Sequence, residues 1–272
     1  MARRRKERLR ITRIDHPRTG AAARSTFDEL IVEEPMTIQL DGTVVATTMR
    51  TPGHDFELAA GFCFAEGLLG GAGVTGVRYC ADGSAVDTEF NVVTVETGGR
   101  APAPSARLGP VSSSCGWCGS EQLDDMCARL ELLPVSEPIA YDVLASVPAQ
   151  MATTSRLFAA TGAVHSAAAF DHTGTLRVVR EDVGRHNAVD KVVGSMVLGL
   201  AGALPATGLG LFVSGRASIE MVLKAWGAGF STLLAVSAPT GLAVAAARRA
   251  GLMLVGFVRD DGFTVYSPAR PS

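Results

Sequence analysis

The chain has 272 residues, of which 47% are hydrophobic and 19% are charged, and its formal net charge is −2 at pH 7. This composition excludes a disordered, collagen-like or coiled-coil protein, and the near-zero charge gives no electrostatic reason to expect nucleic acid as a partner of the whole chain. At roughly 150 residues per domain, the length fits one large domain or two smaller ones.

The basic residues are concentrated at the amino end. Residues 1–24 contain nine basic side chains against Glu7 and Asp15, so this segment carries +7 and the remaining chain carries −9. A basic arm can bind nucleic acid or anionic lipid, but this one has no Phe, Trp or Tyr and no apolar face. The pattern therefore predicts a solvated and disordered tail over residues 1–24. The segment also lacks the apolar stretch of a secretory signal.

Residues 31–50 predict a pair of strands joined at Asp41 and Gly42, a dipeptide that favours hairpin turns. The next segment predicts a helix, because its apolar residues recur on one face. Short strand patterns come after the helix. We assign this small α+β unit to residues 25–108. Its helix and two further strands are predicted over 55–69, 77–80 and 90–96.

The Gly- and Pro-rich stretch 98–110 is the predicted boundary to a second domain, residues 109–272. A helix is predicted over 121–133, after which strand and helix patterns alternate, as in a layered α/β sheet. The predicted strands cover 176–183, 209–213, 232–236, 252–258 and 263–266, and the predicted helices cover 185–200, 217–229 and 242–250.

Two runs without charged residues, 192–215 and 225–247, are longer than the ~18 residues that raise the question of a transmembrane helix. Pro205, Pro239 and several glycines divide the runs into short pieces. Such pieces are typical of α/β domains, whose strands are apolar on both faces. We therefore predict a soluble protein with no membrane partner.

Two cysteines with two residues between them, Cys115 and Cys118, give the sharpest chemical signal, in the sequence SSSCGWCG. Such a pair can form a disulfide, share a metal or pass a sulfur atom. A closed zinc site requires four ligands, and the remaining cysteines, Cys63, Cys80 and Cys127, form no second pair. A thioredoxin-like dithiol is the other alternative. Five cysteines without a signal peptide indicate a reducing compartment.

A predicted strand-to-helix junction carries Arg185, His186 and Asn187, followed by Asp190. Helix amino termini bind anions through their free N–H groups and the helix dipole. Arg185 and His186 add donors, while Asn187 and Asp190 can contact a base or cap the helix. The alternative is an internally paired turn, and the spacing does not decide between the two.

A second junction carries Gly215 and Arg216. Gly215 permits close backbone approach, and Arg216 is able to hold a phosphate with two parallel hydrogen bonds. Glu220 and Lys224, four residues apart on the following helix, are expected to form a surface pair. The turn matches neither the P-loop nor the dinucleotide-binding motif.

His165 lies in the apolar stretch GAVHSAA, where a histidine is more often a hydrogen-bonded core residue than a catalyst. A zinc deaminase has His-x-Glu at such a site and Pro-Cys-x-x-Cys after it. Ala167 occupies the position of the acid, and the cysteine pair precedes His165. Deaminase chemistry is therefore excluded at this position.

Taken together, these motifs resemble the FdhD proteins, the sulfurtransferases needed for formate dehydrogenase activity. The resemblance rests on SSCGWCG, EDVGRHNAVDK, SGRASIEMVLKA, SAPTGLAV and GLMLVGFVR, in that order, and on VEEPMTIQLDG and DFELAAGFCFAEGLL before them. It extends from about residue 30 to residue 267.

The resemblance implies a cytoplasmic homodimer that accepts sulfur from a cysteine desulfurase of the IscS type as a cysteine persulfide. It implies delivery of that sulfur to the bis-molybdopterin guanine dinucleotide cofactor before the cofactor enters formate dehydrogenase. GDP is then expected to bind as a partial mimic of the cofactor, and no structural metal is expected. The implied fold is a small amino-terminal domain followed by a larger α/β domain similar to the cytidine deaminase fold.

Transferred by motif, the persulfide is expected on Cys115, with Cys118 as its companion. The cofactor is expected to contact the strand end and turn formed by Phe257, Val258, Arg259, Asp260, Asp261 and Gly262. Its guanine nucleotide ends are expected near the two junctions, at Arg185, His186, Asn187 and Arg216.

Overall fold

The computed structural model describes residues 3–15, 23–80, 84–103, 127, 130–259 and 261–268. Within these ranges the chain forms twelve strands and six helices, and the strands are arranged in three sheets.

The first element is a hairpin, in which strand β1 (Lys6–Ile14) pairs antiparallel with β2 (Ala23–Ile31) over their whole length. The prediction of a disordered tail over residues 1–24 is therefore wrong for β1. The basic residues of β1 face a strand that supplies acidic and apolar partners, which the tail sequence alone does not contain. Salt bridges cross the hairpin between Lys6 and Glu29 and between Arg13 and Asp28.

The small unit contains a four-stranded sheet of order β4-β3-β6-β5 and one helix. Asp41 and Gly42 turn the chain between its first two strands with φ values of 45° and 85°, as the hairpin dipeptide predicts. The elements are β3 (Glu34–Leu40), β4 (Thr43–Arg50), α1 (Asp55–Ala65), β5 (Gly76–Tyr79) and β6 (Val92–Glu96).

Alternate residues of β3 and β6 form the core of this unit. Met36, Ile38 and Val93 are fully buried against Leu58 and Cys63 of α1. The period of two along the strands thus places one apolar face of the sheet against the helix.

The larger unit contains a six-stranded sheet of order β12-β11-β10-β9-β7-β8, in which β9, β10 and β11 are parallel. The strands are β7 (His165–Phe170), β8 (Leu176–Asp182), β9 (Gly210–Val213), β10 (Thr232–Ala235), β11 (Met253–Arg259) and β12 (Gly262–Ser267). The helices are α2 (Tyr141–Thr154), α3 (Arg156–Thr161), α4 (Arg185–Val197), α5 (Ile219–Gly227) and α6 (Gly241–Ala250).

Helices cover both faces of this sheet. On one face, the core contains α4, α5 and α6, with Val189 and Trp226 among the buried residues. On the other face, Leu144 and Val147 of α2 pack with Phe170 of β7. Strands enclosed in this way are apolar on both sides, which explains the uncharged runs. None of the helices in the described ranges is long and apolar enough to cross a membrane.

The α/β fold class and most of the predicted elements are confirmed, although the helix predicted over 55–69 ends at Ala65. The sequence patterns do not predict β2, β7, α2 or α3. The helix predicted over 121–133 and the boundary between 108 and 109 fall almost wholly outside the described residues. The similarity to the cytidine deaminase fold stays a prediction.

The two units meet where α1 and α4 cross with their backbones in contact. A Cβ atom on Gly61 would lie 1.9 Å from the backbone oxygen of Asp190, and one on Gly194 would lie 1.8 Å from that of Glu57. No side chain fits between the helices at these two positions. The glycines therefore set the distance between the small unit and α4.

Replacing either glycine by alanine is expected to destabilise the protein. Gly194→Ala and Gly61→Ala should each lower the free energy of unfolding by at least about 1–3 kcal/mol, because the added methyl group forces the two backbones apart. Urea denaturation measures this loss. Gly241→Ala is the matched control, since its Cβ would enter open space at the start of α6, and its stability should stay the same or rise slightly. An unchanged midpoint for Gly194→Ala would contradict the helix contact.

Candidate functional site

Four strands of the large sheet end at the same edge. β9, β10 and β11 are parallel, and β8 runs in their direction because both β8 and β9 are antiparallel to β7. The carboxyl ends of β8, β9, β10 and β11 therefore lie along one side of the sheet, which we call the carboxyl edge. Open α/β sheets bind ligands at this side.

The turns at the carboxyl edge are joined by backbone hydrogen bonds. The N–H of Ala217 donates to the oxygen of Ala238 at 3.2 Å, and the N–H of Thr240 donates to Ala217 at 3.1 Å. The N–H of Phe257 donates to the oxygen of Ser237 at 3.3 Å. The segments after β9 and β10 and the end of β11 thus form one connected surface.

The amino terminus of α4 brings Arg185 and His186 to this edge. Its N-cap, Gly184, provides no side chain to satisfy the first N–H groups of the helix. The Nε atom of Arg185 and the Nδ1 atom of His186 are buried without a hydrogen-bond partner among the described residues. An uncapped helix start beside two unsatisfied polar atoms is well suited to bind an anion.

His186 is uncharged at neutral pH. Its pKa is lowered to about 4, mainly by burial and also by the nearby positive charges of Arg185 and Lys224, against the opposing effect of Glu220. A neutral imidazole has one donor and one acceptor nitrogen. At pH 7, His186 therefore contributes hydrogen bonding to the edge and no formal charge.

His165 also lies at the carboxyl edge, at the start of β7. Its Nδ1 atom is 3.4 Å from the hydroxyl oxygen of Ser214. Burial lowers its pKa, as does the nearby Arg185. The apolar sequence around His165 favours a core role, but the side chain is half-buried. Its position at the carboxyl edge follows from β7, which the sequence patterns do not predict.

Gly215 marks the point where these groups meet. A Cβ atom there would lie 3.5 Å from Nδ1 of His165 and 3.6 Å from Cδ of Arg185. The glycine thus lets the turn after β9 approach both side chains. The next residue, Arg216, is exposed to solvent.

The predicted cofactor segment at the end of β11 lies on the same edge. Phe257 has a φ of 54° and is 43% exposed, at an irregularity in the pairing of β11 with β12. Val258 is buried, whereas Arg259 is exposed. Asp261 is exposed in the turn to β12, Gly262 is exposed as the first residue of β12, and Asp260 lies outside the described residues.

Two residues of the first junction have internal partners. The Asn187 side-chain amide donates to the backbone oxygen of Met49 at 2.8 Å and to Asp182 at 3.0 Å. Asp190 accepts a hydrogen bond from Lys224 at 2.5 Å in a buried pair. Lys224 therefore pairs with Asp190, and the expected surface pair with Glu220 is wrong because α5 turns this lysine toward α4.

A buried charge pair underlies the first junction. Asp182 and Lys191 are fully buried and lie 2.6 Å apart. Asp182 also accepts from the N–H of Thr51 at 3.1 Å and from that of Gly184 at 2.9 Å, and Lys191 donates to the backbone oxygen of Thr51 at 2.9 Å. The Asp182 carboxylate thereby connects the start of α4 to Thr51 of the small unit, which lies 131 positions earlier in the chain.

The predicted catalytic cysteines, Cys115 and Cys118, lie outside the described residues. Cys63, Cys80 and Cys127 are buried, and none of the three is in a disulfide. Burial raises the pKa of Cys63 to about 12, which disfavours the reactive thiolate form. In the part of the chain that the structure describes, no group of three or more His, Cys, Asp or Glu side chains is placed to hold a metal ion.

Comparison with known proteins gives one consistent family. The model of the FdhD/NarQ family matches residues 31–271. A protein named sulfur carrier protein FdhD from Mycolicibacterium paratuberculosis is 42% identical over 264 residues, which cover 94% of this chain and 96% of that protein. One of the same name from Nocardia farcinica is 45% identical over 249 residues, which cover 89% and 88%.

The fold is also found in a solved structure. A candidate formate dehydrogenase accessory protein from Desulfotalea psychrophila superposes with a TM-score of 0.74 over 97% of both chains, at 24% sequence identity. At this identity the similarity shows a shared fold.

The shifted pKa of His186 predicts a pH-dependent stability. Between pH 6.5 and about 4 the unfolded chain binds a proton at this residue that the folded chain does not, so the free energy of unfolding should fall as the pH falls through this window. The decrease in the free energy of unfolding that His186 causes should not exceed about 1.4 kcal/mol per pH unit.

Urea denaturation at several pH values checks this expectation by comparison with His186→Gln, which should show a shallower decline. The control is His172→Gln, at an exposed turn, which should decline as the wild type does. Equal slopes for wild type and His186→Gln would contradict a neutral buried His186.

Proposed function

The chain belongs to the FdhD/NarQ family, and we propose that it is a sulfur carrier that serves formate dehydrogenase. Its relatives of 42% and 45% identity are named sulfur carrier proteins and match most of its length. A carrier requires a reactive thiol and a site for the acceptor. The sequence supplies the cysteine pair, and the carboxyl edge supplies a surface suited to an anionic acceptor.

In the proposed reaction, the Cys115 thiolate attacks the outer sulfur of a persulfide on a cysteine desulfurase of the IscS type. A sulfur–sulfur bond forms at Cys115, the donor's own sulfur–sulfur bond breaks, and the donor cysteine leaves as a thiolate. This is the exchange chemistry of disulfides, and it is favoured when the pKa of the attacking thiol is near the ambient pH. Cys63 is unsuited to the step because its pKa is about 12.

Cys118 is proposed to release the carried sulfur from Cys115 as sulfide. When its thiolate attacks the inner sulfur of the Cys115 persulfide, a Cys115–Cys118 disulfide forms and the outer sulfur leaves as sulfide. The two thiols thereby supply the two electrons that convert the carried sulfur to sulfide. A thiol reductant then restores the pair.

The acceptor is proposed to be the bis-molybdopterin guanine dinucleotide cofactor, bound as substrate at the carboxyl edge. The observation that carries this assignment is that Arg185, His186, Arg216 and the described residues of the segment 257–262 lie on one edge of one sheet. Arginine and helix amino termini bind phosphate well. Asp261 is acidic, so the contacts of its turn with the cofactor are assigned to the backbone.

The buried partners of Asn187 suggest a different role for that residue. Its amide holds the turn before α4 against Met49, and its proposed contribution is to position Arg185 and His186. The family resemblance further supports a cytoplasmic homodimer as the working form.

The persulfide assignment predicts where sulfur appears on the protein. Incubation with a cysteine desulfurase and cysteine should add one reductant-sensitive sulfur to the peptide that contains Cys115, as seen by mass spectrometry. The adduct should be absent in Cys115→Ala and unaffected in the control Cys63→Ala. Sulfur found only on Cys63, Cys80 or Cys127 would contradict the assignment, as would stoichiometric zinc that Cys115→Ala removes.

The same variant separates sulfur transfer from other functions in a formate dehydrogenase maturation assay. Cys115→Ala should abolish the sulfur-dependent step while cofactor binding persists. Full maturation by this variant would instead indicate a chaperone that only binds the cofactor. Disulfide reductase activity in the wild type that is lost in the variant would indicate a dithiol oxidoreductase.

The cofactor site predicts guanine nucleotide binding that does not depend on the thiols. GDP should bind equally well to the wild type and to a Cys115→Ala/Cys118→Ala variant, as measured by calorimetry. Arg216→Ala should weaken binding by about tenfold or more, because a hydrogen bond to a charged group contributes roughly 1.5–3 kcal/mol. Arg177→Ala, another exposed arginine, is the control and should bind as the wild type. Unchanged affinity in Arg216→Ala would remove this residue from the site.

A further inference from the structure

The N-terminal hairpin, β1 and β2, forms a two-stranded sheet of its own. Each strand has nine residues, so the hairpin is about 30 Å long at ~3.3 Å per residue. It is tied to the small unit at its base, where the backbone oxygen of Arg5 accepts from Val32 at 3.0 Å and Arg3 donates to Asn91 at 2.8 Å. Two-stranded sheets are marginally stable in water unless something covers them. β2 also contacts α3 of the larger unit, but most residues of the hairpin remain exposed.

One face of the hairpin combines positive charge with exposed apolar surface. The guanidinium groups of Arg8 and Arg10 lie 4.3 and 5.5 Å from the ring centre of Phe27. Phe27 is itself 48% exposed, and Ile14 is 58% exposed. Residues directly opposite in an antiparallel pair share a face, and Arg10 pairs with Phe27.

Arg8 and Arg10 differ from the other basic residues of the hairpin. Among the described residues, neither lies within salt-bridge distance of a carboxylate. Three other basic side chains of the hairpin do, in the pairs Lys6–Glu29, Arg13–Asp28 and Arg24–Asp15. The positive charge of Arg8 and Arg10 therefore remains available to a partner.

A complementary surface lies on the larger unit, in residues 131–142, which we call the acidic segment. It exposes Leu132, Val135 and Tyr141 at 53%, 52% and 61%. Its three acidic residues, Glu131, Glu137 and Asp142, are all exposed.

The acidic segment is held in place by the fold. The N–H of Leu133 donates to the backbone oxygen of Ala250 at 3.0 Å, and the indole N–H of Trp226 donates to that of Glu131 at 2.6 Å. A surface fixed in this way loses little entropy when it is covered, which favours binding.

We propose that the hairpin of one copy of this chain binds the acidic segment of a second copy. Arg8 and Arg10 then face Glu137 and Asp142, while Phe27 packs against the exposed apolar residues of the segment. Both surfaces are exposed within a single chain, so the contact is made between copies. The exchange is reciprocal, which closes a two-fold dimer, and the inference rests on the proposed homodimer.

The charge balance of the chain supports a second copy over nucleic acid. Residues 1–31, which include the whole hairpin, contain nine basic and four acidic side chains and carry +5, and the rest of the chain carries −7. The body of a second copy therefore attracts the hairpin, whereas it repels a polyanion.

Charge reversal tests the pairing. The variants Arg8→Glu/Arg10→Glu and Glu137→Arg/Asp142→Arg should each raise the dimer dissociation constant at least tenfold, as measured by light scattering over a dilution series. The combination of all four substitutions should restore much of the dimer, because opposite charges again face each other. Arg177→Glu is the control and should dimerise as the wild type does.

Cross-linking locates the contact independently of these variants. A photoreactive benzoylphenylalanine in place of Phe27 is used in a mixture of isotopically labelled and unlabelled chains. Cross-links between labelled and unlabelled peptides should fall within residues 131–142. Circular dichroism of each variant should match the wild type, which shows that the substitutions leave the fold intact.

Each other outcome overturns the inference in a recognisable way. A wild-type monomer at all concentrations would contradict both the homodimer and the hairpin contact. A dimer that persists in the Arg8→Glu/Arg10→Glu variant, or one whose cross-links fall elsewhere, would contradict the hairpin contact alone. A monomer that binds a labelled RNA or DNA oligonucleotide through Arg8 and Arg10 would assign the hairpin to nucleic acid.

Discussion

The close crossing of α1 and α4 is the constraint on which the rest of the structure depends. Gly61 and Gly194 allow the two backbones to touch, and this contact brings Thr51 within hydrogen-bond distance of both Asp182 and Lys191. Removing one partner of a buried ion pair typically costs about 3–5 kcal/mol, because the other charge is left unpaired. The orientation of the first turn of α4 is therefore fixed by the small unit as much as by the sheet.

This constraint explains how an uncapped helix start is maintained at the carboxyl edge. Asp182 accepts hydrogen bonds from Gly184 and Asn187 and so fixes the turn between β8 and α4. Arg185 and His186 are left with buried polar atoms that the described chain does not satisfy. Unsatisfied buried groups cost free energy, and a bound anion is a physical reason for a protein to retain them. The small unit thus positions the start of α4, although the residues of the proposed cofactor site belong to the larger unit.

The sequence predicted the elements whose patterns are strong and local. The Asp41-Gly42 hairpin and the alternating strands and helices after residue 176 are examples. β7 was missed because three of its six residues are alanine, which has low strand preference. α2 was missed because it contains Pro148, a residue that usually ends a helix. The sequence of β1 predicts a solvated tail because most of its partner strand, including Phe27, lies beyond the basic segment.

The candidate site was predictable in part. The sequence identified the two junctions, but their position on one edge follows from the strand order, which no local pattern specifies. The internal role of Asn187 and the buried Asp182–Lys191 pair depend on Met49 and Thr51, more than 130 residues away. Pairings over such separations are set by tertiary packing. The spacing of Cys115 and Cys118 marks them as a reactive pair but leaves zinc, dithiol and sulfur-carrier roles open, and their assignment to sulfur transfer stays a prediction.

Hydrogen–deuterium exchange with and without GDP tests most directly whether the carboxyl edge is the cofactor site. The account predicts slower amide exchange on GDP binding in the turns at 183–187, 214–218 and 257–262, with no change in β3 to β6. The same protection should occur in the Cys115→Ala/Cys118→Ala variant. Protection confined to the small unit, or to the groove lined by His54, Phe56 and Leu200, would contradict the account.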